Sequence, residues 1–340
     1  MNLFDIISDK IFIIAEIGNN HNGNIETAKR LIDVAVESGV DAVKFQTFRG
    51  TDIVSPKVLS SDYPEWNVTE YKYWYEFANS IALPLNDHRE VFSYANKKGV
   101  IPFSTPTSVE IVDFLDELRV PFYKIASMDI TNVQLLEKVA SKNKPVIMST
   151  GMAEENDIEN AVKFFDINKL VLLHCVSDYP LVYSSANLMS INWLQKRFNC
   201  PVGFSDHSLG YDLALAAVTL GARVIEKHIT LDRNSPQKAE HHFALEPDEL
   251  KILVKKIRQI EASLGKEEIV ISPGEKDLRK KALRSMHLNN DLKEGHILTE
   301  EDIAIVRPND GIEPKYYKDV LGKKLKKNKK SWDPLTKEDI

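Results

Sequence analysis

An α/β fold, a (β/α)8 TIM barrel with a small, mostly-β module behind it, is predicted by three observations. Eight short apolar runs alternate with amphipathic stretches over the first 264 residues. The runs are apolar throughout, which marks strands of a parallel sheet covered on both faces. Polar residues of the kinds that do chemistry follow nearly every run, as they do at the C-terminal rim of a barrel. The chain has 340 residues, of which 43% are hydrophobic. That length suits a barrel of roughly 250 residues with an appendage.

The predicted strands cover residues 11–15, 41–45, 100–103, 122–125, 145–148, 170–173, 202–204 and 223–226. Eight such units favour closure. Between them, Asn24 is expected to cap a helix whose face is Ile25, Ala28, Leu31, Ile32 and Ala35, ended by Gly39. Asp87 is expected to cap the next, with Val91, Tyr94 and Ala95 inward and Gly99 as terminator. Further helices are predicted over residues 108–118, 133–140, 157–165, 212–220 and 247–264. Residues 49–68 form a long loop with Pro56, Pro64 and Trp66, a length that points to a functional segment or lid. The barrel domain is assigned to residues 1–264. Residues 265–281, with Pro273, Gly274 and many charges, read as a linker, and residues 282–340 as a small β module. A module of that size is marginal alone and is expected to lean on the barrel or on a neighbouring subunit. The basic run at 323–330 reads as a solvated face. No internal repeat is expected beyond the βα period.

Composition excludes several classes. A net charge of −6 argues against a general nucleic-acid binder. Cys175 and Cys200 are the only cysteines, which excludes a disulfide framework and fits a reducing cytoplasm. The N-terminal stretch lacks the basic segment and cleavage site of a signal peptide. No window of about 20 residues is apolar enough to span a bilayer. A cytoplasmic location is therefore expected.

The strand ends carry the functional expectation. In order they present Glu16 with Asn19, Asn20 and His21; Lys44 and Gln46; Ser104 and Thr105; Lys124, Ser127 and Asp129; Ser149, Thr150 and Gly151; His174, with Ser177 and Tyr179 beyond; Ser205, Asp206 and His207; and Lys227 and His228. Two lysines among hydroxyls suit a ligand with a phosphate and a carboxylate. His207 and His228, on adjacent strands, suit a divalent metal with open positions. Asp206 is expected to orient His207. His88, His287 and His296 read as surface or cap residues, and His241 and His242 as rim residues near the substrate.

The segments AEIGNNHNG (15–23), VKFQTF (43–48), FSTP (103–106), YKIAS (123–127), STGM (149–152), GFSDHSLG (203–210) and EKHITLD (226–232) resemble the sialic acid synthase family. Residues from Arg284 and Ser285 through VRPNDGIEP (306–314) and VLGKKL (320–325) resemble its C-terminal SAF, or antifreeze-like, domain. The resemblance implies an open barrel that condenses phosphoenolpyruvate with N-acetylmannosamine or a related hexose, using Mn²⁺, with Mg²⁺ or Co²⁺ as alternatives. It implies a domain-swapped homodimer. By position in these motifs, Lys44, Thr105, Lys124, Ser127, Ser149, Ser177 and Ser205 correspond to phosphoenolpyruvate ligands, and His207 and His228 to the metal pair. Glu16, Gln46, Tyr179 and Arg307 correspond to sugar contacts. Glu16 or Asp129 would serve as general base. Three departures concern the sugar: Asp129 stands where many relatives carry glutamate, Ser177 where some carry asparagine, and residues 234–242 replace a Gly-Pro-Asp-His-like segment, leaving Glu240 as a stand-in carboxylate. The acceptor is left open among an N-acetylmannosamine type and the precursors of legionaminic, pseudaminic or spore-coat sugar acids. A Schiff-base aldolase through Lys124 and a non-enzymatic carbohydrate-binding role are the competing readings.

Overall fold

The computed structural model describes residues 3–64, 68–235 and 240–340. Trp66 and residues 236–239 of the 234–242 segment lie outside these. The chain divides into two units, residues 1–265 and 266–340.

In the first unit eight parallel strands form the wall of a barrel: β1 (Phe12–Gly18), β2 (Ala42–Thr47), β3 (Ile101–Pro106), β4 (Tyr123–Ile125), β5 (Val146–Ser149), β6 (Leu170–Cys175), β7 (Val202–Asp206) and β8 (Val224–His228). Hydrogen-bonded ladders run in the order β3-β2-β1-β8-β7-β6-β5-β4. The expected closure is thus incomplete, since β3 and β4 are not joined by a ladder. β3 carries Pro102 and Pro106, which have no N–H, and β4 has only three residues, so few donors are left for that seam.

Alternation along each strand sorts the core. Ile13, Ala15, Val43, Phe45, Tyr123, Ile125 and Val202 face the helices. Phe12, Ile14, Ala42, Phe103, Phe122, Ile147, Val171, Leu173 and Val224 make a second cluster, the floor of the barrel interior. One pleat repeat further along each strand on that side stand Glu16, Lys44, Thr105, Lys124, Ser149, Cys175 and Glu226, each buried. The inward face changes from apolar to ionic within one layer because side chains at i and i+2 share a face.

The helices follow the sequence with a few differences. Asn24 accepts from Thr27 N and caps Ile25–Ser38, which ends at Gly39 with φ 81°. The following long helix is Leu85–Lys98, and its N-cap is Pro84, not Asp87; Asp87 sits in the first turn, where a carboxylate favours the helix dipole. Leu3–Asp9, Trp74–Ile81 and Ser190–Phe198 are helices absent from the sequence reading. The long loop after β2 is partly folded, with Gly50–Ile53 and Ser60–Asp62 as single helical turns. His88 is wholly buried and meets Pro84 O through Nδ1 at 3.2 Å; burial pushes it down to about 4. It is a core residue, not a surface one. Among the described residues no helix is long and apolar enough to cross a membrane.

In the second unit β9 (Ser285–Leu288) pairs antiparallel with β10 (Ile303–Val306) over a core that includes Met286, Leu298, Val320, Leu325 and Leu335. His287 is buried here, while His296 pairs with Asp302 at 2.9 Å. Residues 266–281 belong to this unit, and Pro273–Ala282 is a helix capped by Ser272, so the segment is not plain linker. The unit also holds a short internal repeat. LTEEDI at 298–303 and LTKEDI at 335–340 build the same cap twice. Asp302 Oδ2 accepts from Thr299 N and Oγ1 at 2.8 Å each. Asp339 Oδ2 accepts from Thr336 N and Oγ1 at 2.7 and 3.0 Å. Asp339 also pairs with Lys327 and Lys329 of the basic run, which is therefore a partly neutralised face.

Candidate active site

The C-terminal end of the barrel opens into a cavity of about 330 Å³. Glu16, Lys44, Gln46, Thr105, Lys124, Ser127, Ser149, Ser177, Tyr179, Ser205, His207, His228 and Glu240 all line it. Strand register brings them there. Glu16 of β1 is level with Lys44 of β2 and with His228 of β8. Gln46 is level with Thr105, and Ser205 with Glu226.

At its floor are four buried charges. Lys44 Nζ is 2.6 Å from Glu16 Oε2 and 3.6 Å from Glu226 Oε2, and donates to Thr105 Oγ1 at 3.1 Å. Lys124 Nζ is 3.9 Å from Glu226 Oε1 and donates to Ser149 Oγ at 2.6 Å. Ser205 Oγ donates to Glu226 Oε1 at 2.8 Å. Glu226 is therefore the carboxylate shared by both lysines, and the sequence reading did not assign it a role. The signal was present: it lies two residues before His228 on one strand and must share its face.

Burial sets the protonation of this cluster. It pushes Glu16 up to about 7, against the pull of Lys44. Burial alone would lower Lys44, but Glu16 and Glu226 outweigh it and hold the ammonium charged. Burial wins at Lys124, which is lowered despite Glu226. At Glu226 burial is outweighed by Lys124 and Lys44, so this carboxyl stays ionised. Burial also raises Glu240.

Beside Lys124 the chain forms a small cradle. Gly151 N donates to Ser127 Oγ at 3.0 Å. Ser177 Oγ is buried and has no partner among the described residues. A Cβ at Gly151 would stand 2.5 Å from Ser177 Oγ and 2.8 Å from Ser127 Oγ. Replacing Gly151 with alanine is expected to weaken binding of a small anion such as inorganic phosphate about tenfold, a loss near 1.4 kcal/mol, as read by isothermal titration. An unchanged Kd would mean that no anion enters the cradle.

On the opposite wall His207 and His228 have ring centroids 5.5 Å apart. His207 Nδ1 donates to Val176 O at 2.8 Å, which turns the other ring nitrogen to an acceptor. His228 is pushed well below its ordinary value by burial and by His207. Its Nδ1 is buried without a hydrogen-bond partner, and Glu240 Oε2 stands 3.4 Å away. Burial would lower His207, but Cys175, the Val176 carbonyl and Glu240 outweigh it and raise it; a divalent ion held by the pair, at nitrogen distances of about 2.1 Å, would take the place of that proton. The charge balance fits as well. Three carboxyls, Glu16, Glu226 and Glu240, stand beside two lysines, Lys44 and Lys124, and a cation would favour the ionised form of Glu16 and Glu240, which burial raises. Among the described residues no third His, Cys, Asp or Glu completes a coordination group.

Other expected positions fall elsewhere. Asp129 does not line the cavity; its Oδ1 accepts from Asn132 Nδ2 at 3.0 Å and burial raises it. Asp206 does not orient His207. It points to the helix side and pairs with Lys227 at 3.0 Å, both wholly buried, because residues next to an inward position face outward. His174 is outward for the same reason and meets Ala186 O at 2.7 Å through Nε2. His241 is held by Thr230 and Asn22, and His242 Nε2 meets Tyr179 O; neither lines the cavity. Arg307 is exposed and belongs to the second unit. The lining that sequence reasoning missed includes, besides Glu226 and Cys175, Thr107, Ala126 and Met128, and a mostly apolar stretch of Phe48, Ile53, Trp74, Phe77, Ala78 and Ile81.

Comparison with known proteins agrees with this arrangement. Residues 31–269 match the NeuB family and residues 284–340 the SAF domain. An N,N'-diacetyllegionaminic acid synthase of Campylobacter jejuni is 39% identical over 97% of this chain and 99% of its own. The human N-acetylneuraminate-9-phosphate synthase is 36% identical over 92% of this chain and 88% of its own. The structure of N-acetylneuraminic acid synthetase from Leptospira borgpetersenii superposes with a TM-score of 0.70 at 34% identity, covering 79% of this chain and 90% of that one. With its eight-stranded barrel, polar rim and C-terminal module, this chain is an enzyme that belongs to the NeuB family of sialic-type acid synthases and carries a SAF domain.

Proposed function

We propose that this enzyme condenses phosphoenolpyruvate with the open-chain aldehyde of a 2-acetamido hexose, giving a nine-carbon sialic-type acid and inorganic phosphate. The observation that carries the reading is the meeting, in one cavity, of an anion floor built on Lys44 and Lys124 with the imidazole pair His207 and His228.

Lys44 and Lys124 hold the phosphate and carboxylate of phosphoenolpyruvate, and Thr105, Ser127, Ser149, Ser177, Ser205 and the Gly151 amide complete its hydrogen bonds. Gln46, Tyr179, Glu240 and Glu16 line the side left for the sugar. His207 and His228 would hold a divalent ion, Mn²⁺ or alternatively Mg²⁺ or Co²⁺, whose chemistry is Lewis-acid polarisation of the aldehyde. The C2=C3 π pair of phosphoenolpyruvate forms the new bond from C3 to the aldehyde carbon, and the aldehyde oxygen takes a proton to become a hydroxyl. Water adds at C2, giving up a proton that balances that hydroxyl, and the bond from C2 to the phosphate oxygen then breaks, leaving a C2 ketone and inorganic phosphate. Glu16 takes the proton of that water, since it reaches the cavity and its pKa, near 7, suits a base at neutral pH. Asp129, outside the lining, acts at most through Asn132.

The test is phosphate release from phosphoenolpyruvate with a panel of 2-acetamido and 2,4-diacetamido hexoses, with and without Mn²⁺. Release that needs no sugar, or none with any sugar, sinks the reading. We further infer a domain-swapped homodimer in the cytoplasm, in which Arg307 of one SAF domain reaches the sugar bound by its partner. Arg307→Ala is expected to raise the sugar KM about tenfold or more and leave that of phosphoenolpyruvate unchanged. An unchanged sugar KM counts against the swapped arrangement. The finer identity of the acceptor, among N-acetylmannosamine and the precursors of legionaminic, pseudaminic or spore-coat acids, turns on the wall opposite the ionic floor.

A further inference from the structure

The ladder between β7 and β8 ends one residue short of the two imidazoles. Its last rung is Asp206 with Lys227, and His207 and His228 follow. Beyond that rung the two histidines are held differently. His228 stays in the sheet, level with Glu16 of β1. His207 lies past the end of β7, and its own bonds run to the segment after β6: Nδ1 donates to Val176 O at 2.8 Å, and its carbonyl accepts from Leu181 N at 3.0 Å. We propose that the buried pair Asp206–Lys227 is a clasp that ties the chain just after His207 to β8, and so sets the span across which His207 and His228 grip a divalent ion. The inference rests on the metal assignment in the reading above and adds two positioning residues to it.

Three observations carry it. First, the contacts converge on one residue. Asp206 Oδ1 accepts from Ser208 N at 2.8 Å, Lys227 donates to Ser208 O, and Lys227 Nζ is 3.0 Å from Asp206 Oδ2. Both polar groups of the Ser208 main chain are thus gripped from the last rung, and Lys227 makes the crossing from β8. The pair acts through the main chain and leaves the imidazole nitrogens free for an ion. Second, both side chains are wholly buried on the helix side of the wall. Removing two charges from water is costly, and apolar residues of like volume often hold a fold as well. The ladder and the buried Val202, Phe204, Val224 and Ile225 already join these strands. What two buried charges add is a fixed position for the groups they hold. Third, an ion needs that position fixed. Metal–ligand distances tolerate about 0.2 Å, and among the described residues no group of three His, Cys, Asp or Glu shares the load. Two ligands whose ring centroids stand 5.5 Å apart depend on the span between their two strand ends.

The experiment is isothermal titration of the metal-free, full-length protein with Mn²⁺, well below the melting temperature of each variant. The test variant combines Asp206→Asn with Lys227→Met. It strands neither charge, keeps an acceptor for Ser208 N and removes the donor to Ser208 O. Its Kd for Mn²⁺ is expected to rise about 10–100-fold, the range for partners that orient metal ligands, with the far-UV circular dichroism of the parent. Phosphate release should recover as Mn²⁺ is raised to saturate the weakened site. Val202→Ala is the control: it opens a cavity in the core of the same strand and lowers the melting temperature, and is expected to leave the Kd unchanged. If the double variant does not fold, Asp206→Asn alone, which weakens only the ion pair, carries the test with an expected loss of about tenfold. A clasp variant that binds Mn²⁺ as tightly as the parent, or a Val202→Ala protein that loses as much affinity, would overturn the positioning role and leave the metal pair standing. A parent that binds no Mn²⁺ defeats the metal assignment, and the clasp with it.

Discussion

Replacing His207 or His228 with alanine is expected to lower phosphate release by about 10³-fold or more, while far-UV circular dichroism and the chromatographic profile stay those of the parent. The size follows from the several kcal/mol that a bound cation supplies to charge developing on a carbonyl oxygen, at tenfold per 1.36 kcal/mol. The fold should survive because the two imidazoles sit above the apolar floor, His228 Nδ1 has no hydrogen-bond partner to strand, and His207 gives up one bond, to Val176 O, at the open end of the barrel. The two variants should be equally inactive, and the double variant no worse, since one ion needs both ligands. Isothermal titration with Mn²⁺ reads the same site without turnover, and each variant should lose the binding seen in the parent. An alanine variant that keeps full activity in chelated buffer ends the metal assignment.

Replacing Lys124 with methionine is expected to cost about 10²–10³-fold in kcat/KM for phosphoenolpyruvate, the range for removing one preorganised donor from a charge-stabilising site. Methionine keeps the length and fills the volume, so the loss reports charge. It also leaves Glu226 with Lys44 as its one remaining ionic partner, so Glu226→Gln added to this variant should recover part of the loss. This residue also separates the condensation reading from a Schiff-base aldolase. Burial lowers Lys124, and a lysine so lowered is what an imine-forming enzyme would need. Borohydride treatment with a pyruvate-type substrate should leave the protein mass unchanged, and chelators should abolish activity. A mass gain located at Lys124, with indifference to chelators, would favour the aldolase.

Several parts of this molecule could be read from residues alone because they depend on local spacing. Eight apolar runs with polar ends forecast eight parallel strands and one functional rim, since the strands of a barrel point the same way. The cap at Asn24 is a property of one side chain and its own first turn, and the stop at Gly39 of the left-handed φ that glycine allows. The motifs that carry the family resemblance are contiguous too, and His207, His228, Lys44 and Lys124 came with them. The misassignments share a cause. His174, Asp206 and Lys227 sit at strand ends and looked active, but the pleat turns them outward, and a one-residue difference in phase decides which face a side chain takes. Pro84 displaced Asp87 as the cap, and the prolines of β3 left the barrel seam open.

What the amino-acid order by itself determined was the fold class, the rim and the chemistry of its charged half. Period-two and period-3.6 patterns encode those directly. What tertiary structure decided was which groups share a charge and which surfaces share a cavity. Glu226 became the common partner of two lysines, and Glu16 acquired a pKa near 7, only when strands distant in sequence were laid side by side and water was excluded. The apolar stretch of the lining arose from a helix, Trp74–Ile81, that follows the proline-bearing loop and is set against the turn at Gly50 by close backbone approach. Desolvation and Coulombic coupling depend on distance through space, and no pattern along the chain carries that distance.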